Sequence, residues 1–209
     1  MRFKDRYEAG QKLADALKNL DIKSPYVFGM ARGGVPVAYE VAKKLNAPLD
    51  VLVVRKLGMP QNPEFGFGAI APEGVSEINT ETVQSYRLSS EQIEKIKSAE
   101  ESELEERLQK YRRDKKLPDL LEKTAIIVDD GIATGVSAKV AIKYLKSKKP
   151  QQIILAAPAC AKDSEEKLKK YADKIVCLVS SSAFFAVGQW YENFNQTTDE
   201  EVTLLLKQF

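Results

Sequence analysis

Histidine is missing from all 209 residues. That absence removes Ser-His-Asp and Cys-His nucleophilic machinery, imidazole zinc sites and histidine general bases together. Any chemistry must use carboxylates, Lys, Arg, Tyr, hydroxyls, backbone amides or a ligand-borne metal. Net charge is also small: 32 basic against 30 acidic side chains leave +2, so no long-range field favours nucleic acid or an anionic membrane as partner. Phosphate binding is therefore expected to be local. No apolar run approaches the ~18 residues of a membrane span. The opening MRFKDRYEAG has no apolar h-region of the kind that marks a secretory signal, and the expectation is a cytoplasmic protein. Cysteine is scarce. Cys160 and Cys177 sit in the apolar runs IILAAPAC and KIVCLVS and are read as two buried free thiols, which suits a reducing compartment. The sequon Asn195-Gln196-Thr197 carries no meaning there.

What is present is the composition of a folded chain, 44% apolar and 30% charged, long enough for one α/β domain with an appendage. Asp5-Arg6-Tyr7-Glu8 resembles a capping box, and Leu13, Leu17 and Leu20 follow at near-helical spacing, so residues 5–20 are expected to form a packing helix. Short apolar strands are expected at 26–29, 49–54, 124–128, 153–157 and 174–179. Helical patterns intervene at 35–45, 135–148 and 164–171, the first with Pro36 near its first turn. Strand and helix alternate, which argues for an α/β fold with an open, mostly parallel five-stranded sheet, helices on both faces, and ligands beyond the carboxyl ends of the strands.

Three segments break the rhythm. Residues 57–78 hold Pro60, Pro63 and Pro72 with Gly58, Gly66, Gly68 and Gly74, and read as a long mobile loop without a long regular element. Residues 91–116 read as a charged helical insertion with Glu103/Arg107 and Glu106/Lys110 at i, i+4 spacing. Its narrow apolar stripe is a packing seam or, alternatively, a contact between two copies in a homodimer. The tail 181–209 gathers Phe184, Phe185, Trp190, Tyr191 and Phe194 before a short helix capped near Thr198-Asp199. The division is thus a core over 1–180 and a C-terminal hood over 181–209.

The segment Val128-Asp129-Asp130-Gly131-Ile132-Ala133-Thr134-Gly135 carries the chemical argument. Glycines let the backbone turn sharply against an anion, and consecutive amides with a helix N-terminus aim partial positive charge at it. The hydroxyls of Thr134 and Ser137 can add donors. Two adjacent carboxylates are poor phosphate ligands, but they suit ribose hydroxyls, a cation, or a carbon that becomes cationic. IIVDDGIATG resembles the signature of type I phosphoribosyltransferases that binds 5-phosphoribosyl 1-pyrophosphate (PRPP). The resemblance implies that Asp129 and Asp130 hold the ribose hydroxyls and that Gly131, Ile132, Ala133, Thr134 and Gly135 hold the 5-phosphate. Ala31-Arg32-Gly33-Gly34 resembles the family's pyrophosphate loop, bringing amides and a guanidinium to a diphosphate. Arg55-Lys56 resembles the basic pair before the catalytic lid, which residues 57–78 would supply.

On this resemblance a nitrogen acceptor, such as a nucleobase, displaces pyrophosphate from PRPP. Asp129, Asp130, Arg32 and Lys56 are the catalytic candidates, and Mg²⁺ arrives with PRPP, with Asp129 and Asp130 as its candidate contacts. Where 6-oxopurine members carry an acidic residue before the loop threonine, Ala133 stands here, which argues against hypoxanthine or guanine. Glu64, Glu73 and Glu77 are the lid carboxylates, and Phe185, Trp190, Tyr191 or Phe194 could stack on a planar base. The alternative is a PRPP-binding regulatory protein without turnover. Competing motifs do worse: Gly66-Phe67-Gly68-Ala69-Ile70-Ala71 matches a dinucleotide fingerprint without its strand and helix, and no Walker A lysine follows Gly135.

Overall fold

In the computed structural model every residue except 113 and 114 is described, with the backbone alone at 63 and 64. Five strands form one all-parallel sheet: β1 (Pro25–Met30), β2 (Leu49–Leu52), β6 (Thr124–Val128), β7 (Gln152–Ala161) and β8 (Lys174–Ser181), in the spatial order β2-β1-β6-β7-β8. The α/β reading holds. β6 is buried along its whole length, as a central parallel strand covered on both faces must be.

One face is covered by α1 (Arg6–Lys18) and α2 (Gly34–Leu45), which bury Leu13, Leu17, Val37 and Val41 against Val27, Ile126 and Ile154. The other face carries α5 (Val136–Ser147) and α6 (Lys162–Leu168), with Val140, Ala141, Leu145 and Leu168 against Phe28, Ile127 and Leu155. Alternating strand residues feed the two clusters, as the period of two requires. The cap of α1 is half of the expected box: the Asp5 carboxylate accepts from Glu8 N, while Glu8 turns to Lys4 N.

The segment 57–78 corrects the sequence reading of its secondary structure. Strands β3 (Arg55–Met59), β4 (Asn62–Ile70) and β5 (Ser76–Ile78) form a separate antiparallel sheet. The register slips twice between Leu57 and Met59, so Gly58 and Gly66 sit at irregularities of a strand instead of ending it. Gly68 shows why glycine is needed: a Cβ there would run into the Glu77 backbone. Phe67, Ala69 and Ile70 are buried, so this sheet is packed at its base. Beyond it come α3 (Thr80–Ser85) and α4 (Ser90–Arg112). Residues 113 and 114 of the expected 91–116 helix lie outside the described residues, and 115–116 are not helical.

The chain closes with α7 (Asp199–Leu206), whose cap, Thr198, accepts from Glu201 N as anticipated. A second correction concerns the cysteines. Neighbouring strands β7 and β8 bring Cys160 and Cys177 to a Cα separation of 6.3 Å, where they are paired as a disulfide, not held as two free thiols. Among the described residues no helix is long and apolar enough to cross a membrane.

Candidate active site

At the carboxyl ends of β1 and β6 two loops meet. The turn after β6 starts at Asp129, whose carboxylate accepts the Asp130 N–H at 2.9 Å. It then runs through Gly131 to Gly135, which caps α5 with φ +75°, a backbone conformation that favours glycine. Ile132 is stitched to β7: its N–H donates to the Ala159 carbonyl at 2.9 Å, and the Ala161 N–H donates back to the Ile132 carbonyl at 2.8 Å. The buried Ser164 hydroxyl donates to the Ala133 carbonyl at 2.5 Å. Asp129, Gly131 to Gly135, Ser137 and Ala138 line a concavity of ≈ 160 Å³ at the N-terminus of α5, the place where amides and helix dipole favour an anion.

The loop after β1, Ala31-Arg32-Gly33, packs directly on this turn. A Cβ on Gly34 would stand 2.6 Å from the Val128 carbonyl oxygen, and one on Gly33 would collide with the Asp130 carboxylate. Both positions therefore need glycine for close approach. The two segments predicted to share a ligand are thus in contact.

The acidic pair is electrostatically unusual. Burial pushes the Asp129 carboxyl well above the usual carboxylate range, and the neighbouring Asp130 charge pushes it further. Burial also raises Asp130, against the opposing pull of Arg6. Arg6, in the first turn of α1, donates through Nε to Asp130 Oδ2 at 2.8 Å and through Nη1 to the Asn195 carbonyl at 2.6 Å. The expected structural role of helix 5–20 missed this contact, and no local pattern around Arg6 announces it. The Tyr191 hydroxyl donates to the Asp130 carbonyl at 2.6 Å. The pair carries two acidic groups facing one guanidinium, a donor set suited to hydroxyls or a cation, although among the described residues no cluster of three or more metal-ligating side chains exists.

The basic candidates behave differently. Arg55 donates to Glu100 at 2.7 Å and lies 3.7 Å from Glu103, both on α4. Lys56 lies across Gly66, where a Cβ would meet its side chain at 2.8 Å. Arg32 sits 3.6 Å from Asp199, which also takes Lys110 Nζ at 2.8 Å and the Tyr111 hydroxyl at 2.6 Å. Glu77 is bound by Lys139 and Lys143 of α5, and Glu73 by Lys148.

In the hood, Tyr191 is buried against Phe3 and Ala9, and Phe194 stacks on Tyr191 with centroids 5.0 Å apart. Phe184 lies 5.8 Å from Trp190, and Phe185 is 88% exposed. Val187 covers Gly131, where a Cβ would strike it.

The model of the phosphoribosyl transferase domain matches residues 5–193. The chain belongs to that family. Its match begins at the cap of α1 and ends within the hood, so Arg6 and Tyr191 fall inside it as well as the acidic turn. The chain is 45% identical over 204 residues to a Mycobacterium tuberculosis protein named as a candidate phosphoribosyl transferase, covering 98% of this chain and 46% of that one. It thus spans about half the length of the curated relatives it matches. The crystal structure of TT1426 from Thermus thermophilus is 36% identical, with TM-score 0.83 over 100% of this chain and 99% of that one. The AQ2163 protein from Aquifex aeolicus shares the fold at 14% identity and TM-score 0.52, over 84% of this chain and 73% of that one.

Proposed function

We propose that this phosphoribosyltransferase-family chain is an enzyme transferring the 5-phosphoribosyl group of PRPP to a nitrogen acceptor such as a nucleobase, with release of pyrophosphate. The observation that carries this reading is the contact between the acidic turn and the Ala31–Gly34 loop at the ends of adjacent parallel strands. A ligand that is phosphate at one end, diol in the middle and diphosphate at the other fits that order of groups. The 5-phosphate would sit on the Gly131–Gly135 amides and the Thr134 hydroxyl, the ribose diol on Asp129 and Asp130, and the pyrophosphate on Ala31, Arg32 and Gly33 with Arg55 and Lys56 nearby.

The acceptor nitrogen lone pair attacks C1 of the ribose. The C1–O bond breaks with its electrons on the pyrophosphate oxygen, and the proton given up by the acceptor nitrogen is taken up by the released pyrophosphate or by water. Asp129 and Asp130 stabilise the positive charge that grows on the ring, while Arg32 and Lys56 stabilise the charge on the leaving group. Mg²⁺ would arrive with PRPP, with Asp129 and Asp130 as the residues that would contact it, and would supply charge neutralisation to the leaving group. The lid role of 57–78 narrows to the tip of the β3-β4 hairpin, because Phe67 and Ile70 anchor its base. Closure of that tip would exclude water from an activated sugar.

The test is pyrophosphate release from PRPP and Mg²⁺ across a panel of nucleobases. Acceptor-dependent release establishes the transferase and names its acceptor. PRPP binding with no release from any acceptor would favour the regulatory alternative.

A further inference from the structure

We propose that Arg6 is a positioning residue for the ribose carboxylates, coupling the C-terminal hood to the grip on the sugar. The inference rests on the PRPP reading of the acidic turn and deepens it. Arg6 and Asp130 are 124 residues apart, and their side chains are only 11% and 13% exposed. One guanidinium makes two hydrogen bonds, Nε to Asp130 Oδ2 and Nη1 to the Asn195 carbonyl, and lies over two rings, 4.0 Å from the Phe194 centroid and 6.0 Å from that of Tyr191.

The rigid planar fork of arginine can satisfy a carboxylate and a carbonyl at once while lying flat on an aromatic ring; an ammonium cannot. Tyr191 fixes the same aspartate by its carbonyl, so Asp130 is held at its backbone by the hood and at its side chain by α1, whose Arg6 is in turn tied to the hood through Asn195 and Phe194. Gly33 closes the other side, since a Cβ there would come within 3.3 Å of Arg6 Nε. With Oδ2 committed to Arg6 and its carbonyl to Tyr191, Asp130 is fixed in one orientation beside Asp129, and displacement of residues 191–195 would release that orientation.

The experiment compares two probes by calorimetry on the whole chain, PRPP with Mg²⁺ and inorganic pyrophosphate with Mg²⁺. Arg6→Gln is expected to weaken PRPP about tenfold, the scale of a lost charge-assisted hydrogen bond, and to leave pyrophosphate within about twofold, because Arg6 acts on the ribose side. Arg6→Lys is expected to stay weak for PRPP, since charge alone does not rebuild the fork. Phe194→Leu keeps the ion pair and removes the ring plane; it should weaken PRPP about threefold and serves if Arg6→Gln does not fold. Equal loss of both probes, full recovery in Arg6→Lys, or unchanged PRPP affinity in Arg6→Gln and Phe194→Leu would each overturn the proposal. A wild-type chain that takes pyrophosphate but not PRPP overturns the ribose reading first, and Arg6's role with it.

Discussion

The two sides of the candidate site are neutralised in opposite ways. On the proposed ribose side, two adjacent carboxyl groups have one guanidinium beside them, bonded to Asp130, and burial makes their ionisation unfavourable. On the proposed pyrophosphate side, Arg32 and Arg55 already face carboxylates donated by outlying helices, Asp199 of α7 and Glu100 and Glu103 of α4. A buried, under-neutralised pair holds free energy that hydroxyl donors or a cation can release. A part-exposed, already paired arginine gives up a modest partner when an anion arrives. The lesson is that the ribose side should dominate the energetics of PRPP recognition, with the arginines of the other side tuning it.

The largest expected effect tests the ribose side. Replacing Asp129→Asn together with Asp130→Asn should abolish PRPP binding in a folded protein, and the pH profile of ligand-free stability should flatten. The sign follows from linkage. The folded state holds protons that the unfolded chain has lost above about pH 4, so wild-type stability falls as pH rises from there toward the raised folded values, whereas the double variant lacks this slope. Melting curves between pH 4 and 8 check it, and an identical slope in both proteins would contradict the electrostatic account.

Gly33→Ala strikes the seam between the two sides. Its methyl meets the Asp130 carboxylate and approaches Arg6, so we expect a destabilisation of about 1–3 kcal/mol and weaker PRPP binding. Denaturant titration reads the first and calorimetry the second.

Effects on the pyrophosphate side should be smaller. Asp199→Asn frees Arg32 from an exposed pair worth about 0.2–1 kcal/mol, so pyrophosphate should bind up to about fivefold more tightly at low salt, and added salt should erase the gain. The same carboxylate is held down to about 2, mainly by Lys110 and then by Tyr111. Its stabilising contribution is therefore present above the ordinary carboxylate range and is lost as pH falls through about 2. Glu100→Gln should change pyrophosphate affinity less, because Glu103 remains beside Arg55.

The sequence announced those parts of the fold and site built from contiguous residues. The Asp129–Gly135 turn was legible because strand, acidic pair, glycine turn and helix follow one another along the chain, α1 and α7 were legible through their caps, and α2 through Pro36 in its first turn. The β3-β4-β5 sheet was hidden because its pairing partners supply order that a Pro- and Gly-rich segment lacks by itself. Arg6, Ser164 and the Cys160–Cys177 pair were hidden for a related reason. Their partners lie 124, 31 and 17 residues away, and only the parallel crossover geometry brings them together.

The central claim is met most directly by the melting shift of the wild-type chain with PRPP and Mg²⁺, set beside the Asp129→Asn, Asp130→Asn variant. At 100 times its dissociation constant, PRPP should stabilise the wild type by about 2.7 kcal/mol and the variant not at all. No shift in the wild type, or an equal shift in both, would contradict the assignment of the acidic turn as the PRPP site.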